Sequence, residues 1–413
     1  MTGRAAVVAA PGSWSRSTLG ELCAAGGGDI RTGPFGNRLH ASDYVGHGIP
    51  SVMPQNIGDN VIDTDGIARI TPADARRLSR YLLVEGDIVY SRRGDVERRA
   101  LIGAAQAGWL CGTGCLRIRP GDAVHSGYLS YYLGHPEVRR WIVRHAVGAT
   151  MLNLNSRILG EVPVVVPPRA TQEAVAGLLE ALDDKIAVGA RIADTARRLN
   201  LAVYAAAARE SGEERTVDDI AGFLNRGQTP RYTPDSSGVL AVNQRCVRGG
   251  RVNRDPARRI EAGRVHADRF LRRNDVLVNS TGVGTLGRVG IWSHDVAATV
   301  DSHVTIVRVG AGIPAIVGAF AILAVQERIE TLGEGSTGQT ELSRAKLASV
   351  VVRIPGGGLD SLAARLSAVE ARADAALAES RALAGLRDAL LPPLLSGRLR
   401  VGDAEKAVEA ATA

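Results

Sequence analysis

The feature that most constrains this chain of 413 residues is that it repeats itself. At an offset of 188, Gly86-Asp87-Ile88-Val89-Tyr90-Ser91 falls on Asn274-Asp275-Val276-Leu277-Val278-Asn279, and each run reaches a glycine in the same register, Gly94 and Gly282. The same offset sets Gly148–Leu154 against Ser336–Leu342, and both continue into apolar strands ending in proline, Val162–Pro167 and Val350–Pro355. One residue further on, at 189, Leu116-Arg117-Ile118-Arg119 meets Thr305-Ile306-Val307-Arg308. Four matches in order at a nearly constant offset argue for a duplication, so a fold assigned to one half must serve the other.

Each repeat has two parts. The first, residues 1–168 and again 212–355, carries short β-branched runs between turn residues, such as Asp87–Tyr90, Val162–Val166, Asp275–Val278 and Val304–Val309. These read as two similar mixed α/β domains, with residues 1–13 a disordered lead. The second part is helical. Between Thr171 and Ala208 there is no proline, and Val175, Leu179, Leu182, Ile186, Gly189, Ala193 and Ala196 follow a 4-3-4-3 spacing. Leu362, Leu366, Val369, Ala373, Ala376 and Leu383 form a counterpart stripe. The expected helices are 169–211 and 356–400, followed by a tail at 401–413. Two amphipathic helices lying on their own domains would show a similar pattern. The narrow, alanine-rich seam instead favours mutual antiparallel packing, with Leu179, Leu182, Ile186, Leu366 and Val369 buried in it. The expected fold is therefore α+β, with two similar domains separated by two long antiparallel coiled-coil helices under an internal pseudo-twofold.

Charge follows the same division. The net charge is +7, and residues 1–168 and 212–355 each carry +4, whereas the helical regions are close to neutral. The excess is sharpest between Arg245 and Arg273, where ten arginines, Arg258 and Arg259 among them, face only Asp255, Glu261 and Asp268. A solvated arginine-rich surface would look alike. Two equally basic domains on neutral spacers nevertheless match the footprint of a protein that grips DNA phosphates at two sites.

Catalytic and metal signals are weak by comparison. Gly282-Val283-Gly284-Thr285-Leu286-Gly287 fits GxGxxG, but the following Arg288-Val289-Gly290-Ile291-Trp292 reads as a strand, so a hairpin is expected and not a dinucleotide site. No GxxxxGK[ST] loop and no Asn/Asp-Pro-Pro-aromatic tetrapeptide occurs. Asp301, Ser302 and His303 are adjacent, so their side chains alternate between faces and cannot form a triad. Cys23, Cys111, Cys115 and Cys246 read as reduced core thiols, and no histidine spacing suits a metal. The longest apolar run, Ile313–Val325, is too short to span a bilayer, and the expected location is cytoplasmic.

Val166-Pro167-Pro168-Arg169-Ala170-Thr171-Gln172-Glu173, continuing to Leu182-Asp183-Asp184-Lys185-Ile186, resembles the boundary between recognition domain and helix in specificity subunits of type I restriction-modification systems. The family's Glu-Gln pair is inverted here, and Gly356-Gly357-Gly358 replaces its counterpart in the second half. The segment Leu386–Leu399, with Pro392-Pro393, is similar to the family's C-terminal segment, and the paired Asp87 and Asp275 strands resemble its domains.

The resemblance implies two DNA-reading domains, each recognising one half of a split asymmetric site, on helices that act as a ruler. It implies as partners double-stranded DNA, two copies of an adenine-N6 methyltransferase subunit and a translocating nuclease subunit. No cofactor or catalysis is expected in this chain, since S-adenosylmethionine would bind the methyltransferase. A free-standing DNA-binding regulator and a specificity subunit of another DNA-modification defence complex remain open. Candidate DNA-contacting residues in the first domain are Gln55, Asn56, Ser91, Arg92, Arg93, Arg98 and Arg99. In the second they are Asn243, Gln244, Arg245, Arg258, Arg259, Asn279, Ser280, Thr281 and Arg288. Arginine suits guanine and Asn/Gln suits adenine in the major groove. Asn153, Asn155, Gln339 and Arg344 are candidates for fixing the loop before the last strand.

Overall fold

A computed structural model of the chain describes residues 7–333 and 341–412. Residues 336–340 of the second Ser336–Leu342 match, Gln339 included, lie outside the described residues. The chain divides into two compact units, residues 1–186 with 381–413, and residues 187–380. The boundaries fall inside the two helices and not at their ends, because each domain draws helix side chains into its own core.

The first unit opens with β1 (Ser15–Thr18), α1 (Leu19–Ala25), β2 (Asp29–Thr32), β3 (Tyr44–Val45), β4 (Ile49–Val52), β5 (Arg69–Ile70) and α2 (Pro72–Arg77). It continues through β6 (Ile88–Ser91), β7 (Arg99–Leu101), β8 (Leu110–Cys111), β9 (Cys115–Arg119), α3 (Ser126–Leu133), α4 (Pro136–His145), α5 (Ser156–Gly160) and β10 (Pro163–Val166). One sheet has the order β2-β9-β6-β7, all antiparallel. A second has β3-β5-β4-β8, with β4 and β8 parallel. The β1–β10 pair closes the unit and leads into α6 (Arg169–Ser211).

The second unit contains β11 (Gly212–Thr216), α7 (Val217–Ile220), β12 (Ala221–Arg226), β13 (Val239–Val242), β14 (Val247–Arg248), β15 (Gly250–Val252) and β16 (Arg258–Ile260). Then come β17 (Val276–Asn279), β18 (Val289–Ile291), β19 (Ala298–Val300), β20 (Val304–Val309), α8 (Ala315–Leu323), α9 (Gln326–Glu330), α10 (Arg344–Ala348) and β21 (Val351–Pro355). Its main sheet runs β12-β20-β17-β18-β15-β14, and β16-β13-β19 forms a second. Two helices follow, α11 (Leu359–Leu395) and α12 (Val401–Thr412).

The duplication is real at every level of this topology. The order β12-β20-β17-β18 repeats β2-β9-β6-β7, and β13, antiparallel to β16 and parallel to β19, repeats β4 with β5 and β8. Arg119 makes two 2.7 Å bonds to Asp87, and Arg308 bonds Asp275 at 2.8 and 2.7 Å, both carboxylates being buried. Each aspartate also accepts a backbone N–H just upstream, from Val84 and from Arg272. A buried carboxylate needs both kinds of partner, so this constellation preserves the aligned residues. β17 and β18 are antiparallel across the GxGxxG run, which is therefore a hairpin with no helix behind it.

The helices depart from expectation in instructive ways. In the second unit α6 and α11 are antiparallel: Gly189 lies against Ser380, Arg197 against Glu370 and Asn200 against Leu366. The dry seam consists of Ala193, Ala196 and Ala373, flanked by half-buried Val369 and Leu377. Leu179 and Leu182 are buried in a cluster that also holds Leu383 and Leu390 of α11, and Leu366 in one that also holds Tyr204 and Ala208 of α6, and both clusters extend into the domains. Half-buried Ile186 packs on the first of these cores. Within the expected 356–400, α11 runs through Pro392-Pro393 to Leu395, where Leu390, Leu391, Leu394 and Leu395 enter the first core. In the tail, α12 buries Ala404 in that core. Residues 7–13 are not a disordered lead, since Val8 is buried in the same core. Among the described residues no helix is long and apolar enough to cross a membrane.

Candidate nucleic-acid interface

Strand register decides which loops share a surface. In the first unit Thr32 pairs with Leu116, Ser91 with Cys115 and Tyr90 with Arg99. The connection after β2, the β6–β7 hairpin and the turn before β9 therefore leave one end of the sheet. In the second unit Arg226 pairs with Thr305, Asn279 with Val304 and Val278 with Val289, which brings the equivalent three loops together. Antiparallel bridges from Arg93 to Asn153 and from Thr281 to Glu341 add a fourth strand segment at matched positions.

The candidate residues separate into two groups. Exposed Gln55 and Arg93 and half-buried Arg92 lie at this end of the first unit, and the Arg92 N–H donates to Gly114 O at 2.9 Å. Arg98 is exposed but paired with Asp95 at 2.7 Å. In the second unit Arg245 is exposed and Arg288 half-buried. Thr281 Oγ1 lies 2.7 Å from His303 Nδ1 and donates to Gln244 Oε1 at 3.4 Å. Arg226, which donates to Glu341 and to Leu342 O, and Arg344, bonded to Asn225, complete this polar surface. A cleft of about 370 Å³ lined by Gln228, Thr229, Arg231 and His266 adjoins the connection after β12.

The other group is buried and holds the scaffold, which corrects its assignment to DNA. Asn56 accepts from the Met53 N–H and donates to Asp63 O, and Ser91 donates to Arg93 O. Arg99 is 2% exposed and spends its guanidinium on Ser130 O and Asp59. Asn279 donates to Gln244 O and Thr285 O, and Ser280 bonds Thr305 Oγ1. Asn243, half-buried, donates to Pro256 O and caps Arg245 N. Polar atoms spent in this way cannot meet a base edge. Asn155 caps α5.

The arginine-rich stretch is also divided. Arg258 and Arg259 are both exposed, Arg258 stacking over Tyr232 at 3.5 Å and Arg259 donating to Gly238 O at 2.5 Å, while half-buried Arg269 donates to Arg226 O at 2.6 Å. Arg251 pairs with Glu370 at 3.0 Å and Arg273 with Asp374 at 2.7 Å, so both arginines fasten the domain to α11. Glu370 is the hub of that cluster, accepting also from Arg197 and Asn200. Burial lowers the Arg197 guanidinium to about 10, against the opposing pull of Glu370. Burial likewise pushes the Asp301 carboxyl above its ordinary value, although the His303 N–H bonds it. Among the described residues no group of three or more His, Cys, Asp or Glu is placed to hold a metal ion.

No protein-family model and no curated protein matches the chain. Solved structures do. The crystal structure of the type I restriction-modification system S subunit from M. genitalium aligns over 95% of this chain and 99% of its own, at 14% identity and TM-score 0.51. The HsdS subunit from Thermoanaerobacter tengcongensis covers 94% and 98% at 15% identity and TM-score 0.37. A structure described for complex assembly and conformational transition of the type I R-M system covers 94% and 99% at 16% identity and TM-score 0.40. The chain thus has the fold of a type I restriction-modification S subunit over nearly its whole length.

Proposed function

We propose that this chain is the DNA sequence-specificity subunit of a type I restriction-modification complex, each globular domain reading one half of a bipartite asymmetric site. The observation that carries this reading is the pair of domains with one strand order whose matched sheet ends present different polar and cationic loops. A shared scaffold with divergent loops is what reading two different half-sites requires. The helices set the distance between half-sites and dock two copies of an adenine-N6 methyltransferase subunit, which a translocating restriction subunit joins. The chain itself supplies no chemistry; S-adenosylmethionine belongs to the methyltransferase.

The test is to purify the tagged chain from its native cell and to map adenine methylation with and without it. Co-purification of an adenine methyltransferase, and loss of methylation at one split site on deletion, are the expected results. Tight operator binding by the chain alone, with no methylation change, would mean a free-standing regulator. Methylation without any associated restriction activity would place it in another modification complex.

A further inference from the structure

In both units a glycine that the fold requires directly follows the first strand of the main sheet. Gly33 donates its N–H to Cys115 O at 2.9 Å, and Gly227 donates to Val304 O at 3.0 Å, at matched positions of the repeat. A Cβ on Gly33 would lie 2.1 Å from the Gly112 carbonyl oxygen, and one on Gly227 2.1 Å from that of Asp301. From this common frame the next two residues can be compared directly, Pro34-Phe35 against Gln228-Thr229.

The backbone under Phe35 is held, yet its ring is not covered. Gly33 and Pro34 are buried, and the Pro34 carbonyl accepts from Thr113 Oγ1 at 3.0 Å, which ties the loop to the turn before β9. Phe35 itself is 59% exposed, while Phe223, Phe270 and Phe320 are buried or half-buried. Gly114 in that turn receives the Arg92 N–H and packs against Pro54, whose neighbour Gln55 is exposed. A bare aromatic ring therefore stands on an anchored loop at the end of the sheet where Gln55, Arg92 and Arg93 also lie. Apolar side chains so placed enter between base pairs and unstack a step, while neighbouring cations hold the phosphates.

We infer that Phe35 is an apolar wedge that inserts between two base pairs of the half-site read by the first unit and kinks the duplex there. Thr229, at the matched position, leaves the other half-site stacked. The inference rests on the specificity-subunit reading above. A pyrimidine–purine step is the expected insertion point, because such steps unstack most easily.

The experiment uses the chain assembled with its methyltransferase, on duplexes carrying the methylated site. 2-Aminopurine is placed in turn at each position except the methylated adenines, which the methyltransferase would itself extrude. Fluorescence should rise at one step of one half-site only. F35A should abolish that rise and weaken specific binding about tenfold, with an unchanged salt slope because no phosphate contact is lost. F35L should retain most of both effects. An F35A complex that keeps the fluorescence change overturns the wedge. Loss of methyltransferase assembly in F35A also overturns it and makes the ring a protein contact. A wild-type chain that directs methylation to no site overturns the specificity reading and the wedge together; loss of the fluorescence arm alone overturns only the wedge.

Discussion

Replacing Glu370 with alanine tests whether one carboxylate organises the contact between α11 and the second domain. Glu370 accepts from Arg197 at 3.1 Å, Arg251 at 3.0 Å and Asn200 at 3.0 Å, and the two arginine side chains are only 6% and 17% exposed. Removing one partner of a buried ion pair typically costs about 3–5 kcal/mol, because the other charge is left without compensation. Asp374, 3.7 Å from Arg251, offsets part of this, so the lower end, about 3 kcal/mol, applies. At about 2–4 °C per kcal/mol for a unit of this size, the melting temperature should fall by roughly 6–12 °C. The Arg197 guanidinium is held down to about 10 by burial despite Glu370, so a charged Arg197 is itself unfavourable in the folded state. For the same reason R197M/E370L should recover most of the loss, its cost being far below the sum of the single changes. Calorimetry and urea titration read both quantities. A loss under about 1 kcal/mol for E370A, or strict additivity in the double variant, would refute the hub.

Three further outcomes follow from the packing. Gly189→Leu should destabilise by about 1–3 kcal/mol, since even its Cβ would lie 2.0 Å from Ser380 Oγ and 2.8 Å from the Ala376 carbonyl; S380G should not rescue it, because the carbonyl remains. R258A and R259A, both at exposed side chains, should each reduce the salt slope of DNA binding by about one phosphate contact; an unchanged slope would contradict this. Burial pushes the thiols of Cys23 and Cys111 up to about 12 and that of Cys246 to about 11, and Cys115 is also raised. At pH 8 iodoacetamide should thus label none of them until guanidinium is added, as mass spectrometry would show.

The scaffold was legible in the residues and the reading surface was not, for a common reason. Asp87 and Asp275 align because each must pair with a matched arginine and accept a backbone N–H, a requirement that tolerates no drift. Matching the repeats therefore finds residues that hold the fold. Asn56, Ser91, Arg99, Asn279 and Ser280, near matched positions, are buried hydrogen-bonding groups of this kind. On the proposed function, side chains that distinguish two half-sites would differ between the repeats, as Phe35 and Thr229 do. The arginine-rich stretch misled differently: Arg251 and Arg273 are neutralised by Glu370 and Asp374, about a hundred positions away, a pairing that no local count can reveal.

The helix length offers the most direct test of the ruler. α6 has 43 residues and, at 1.5 Å per residue, spans roughly 64 Å. An insertion must keep the two helices in register, and the close approach of Gly189 to Ser380 marks where to cut. Seven residues added after Val188 and seven after Ser380 leave Gly189 against Ser380 and the Glu370 cluster intact. A heptad also returns the seam to nearly the same face. The addition lengthens each helix by about 10 Å, and B-DNA rises 3.4 Å per base pair, so the preferred spacer should grow by roughly three base pairs. The half-site sequences should not change, because the loops proposed to meet bases are untouched. Sequencing the methylated sites in cells that carry the lengthened chain reads both quantities at once. If the complex stays active while its spacer is constant, the helices do not measure the distance, and the gap must be set by the methyltransferase subunits or by the DNA.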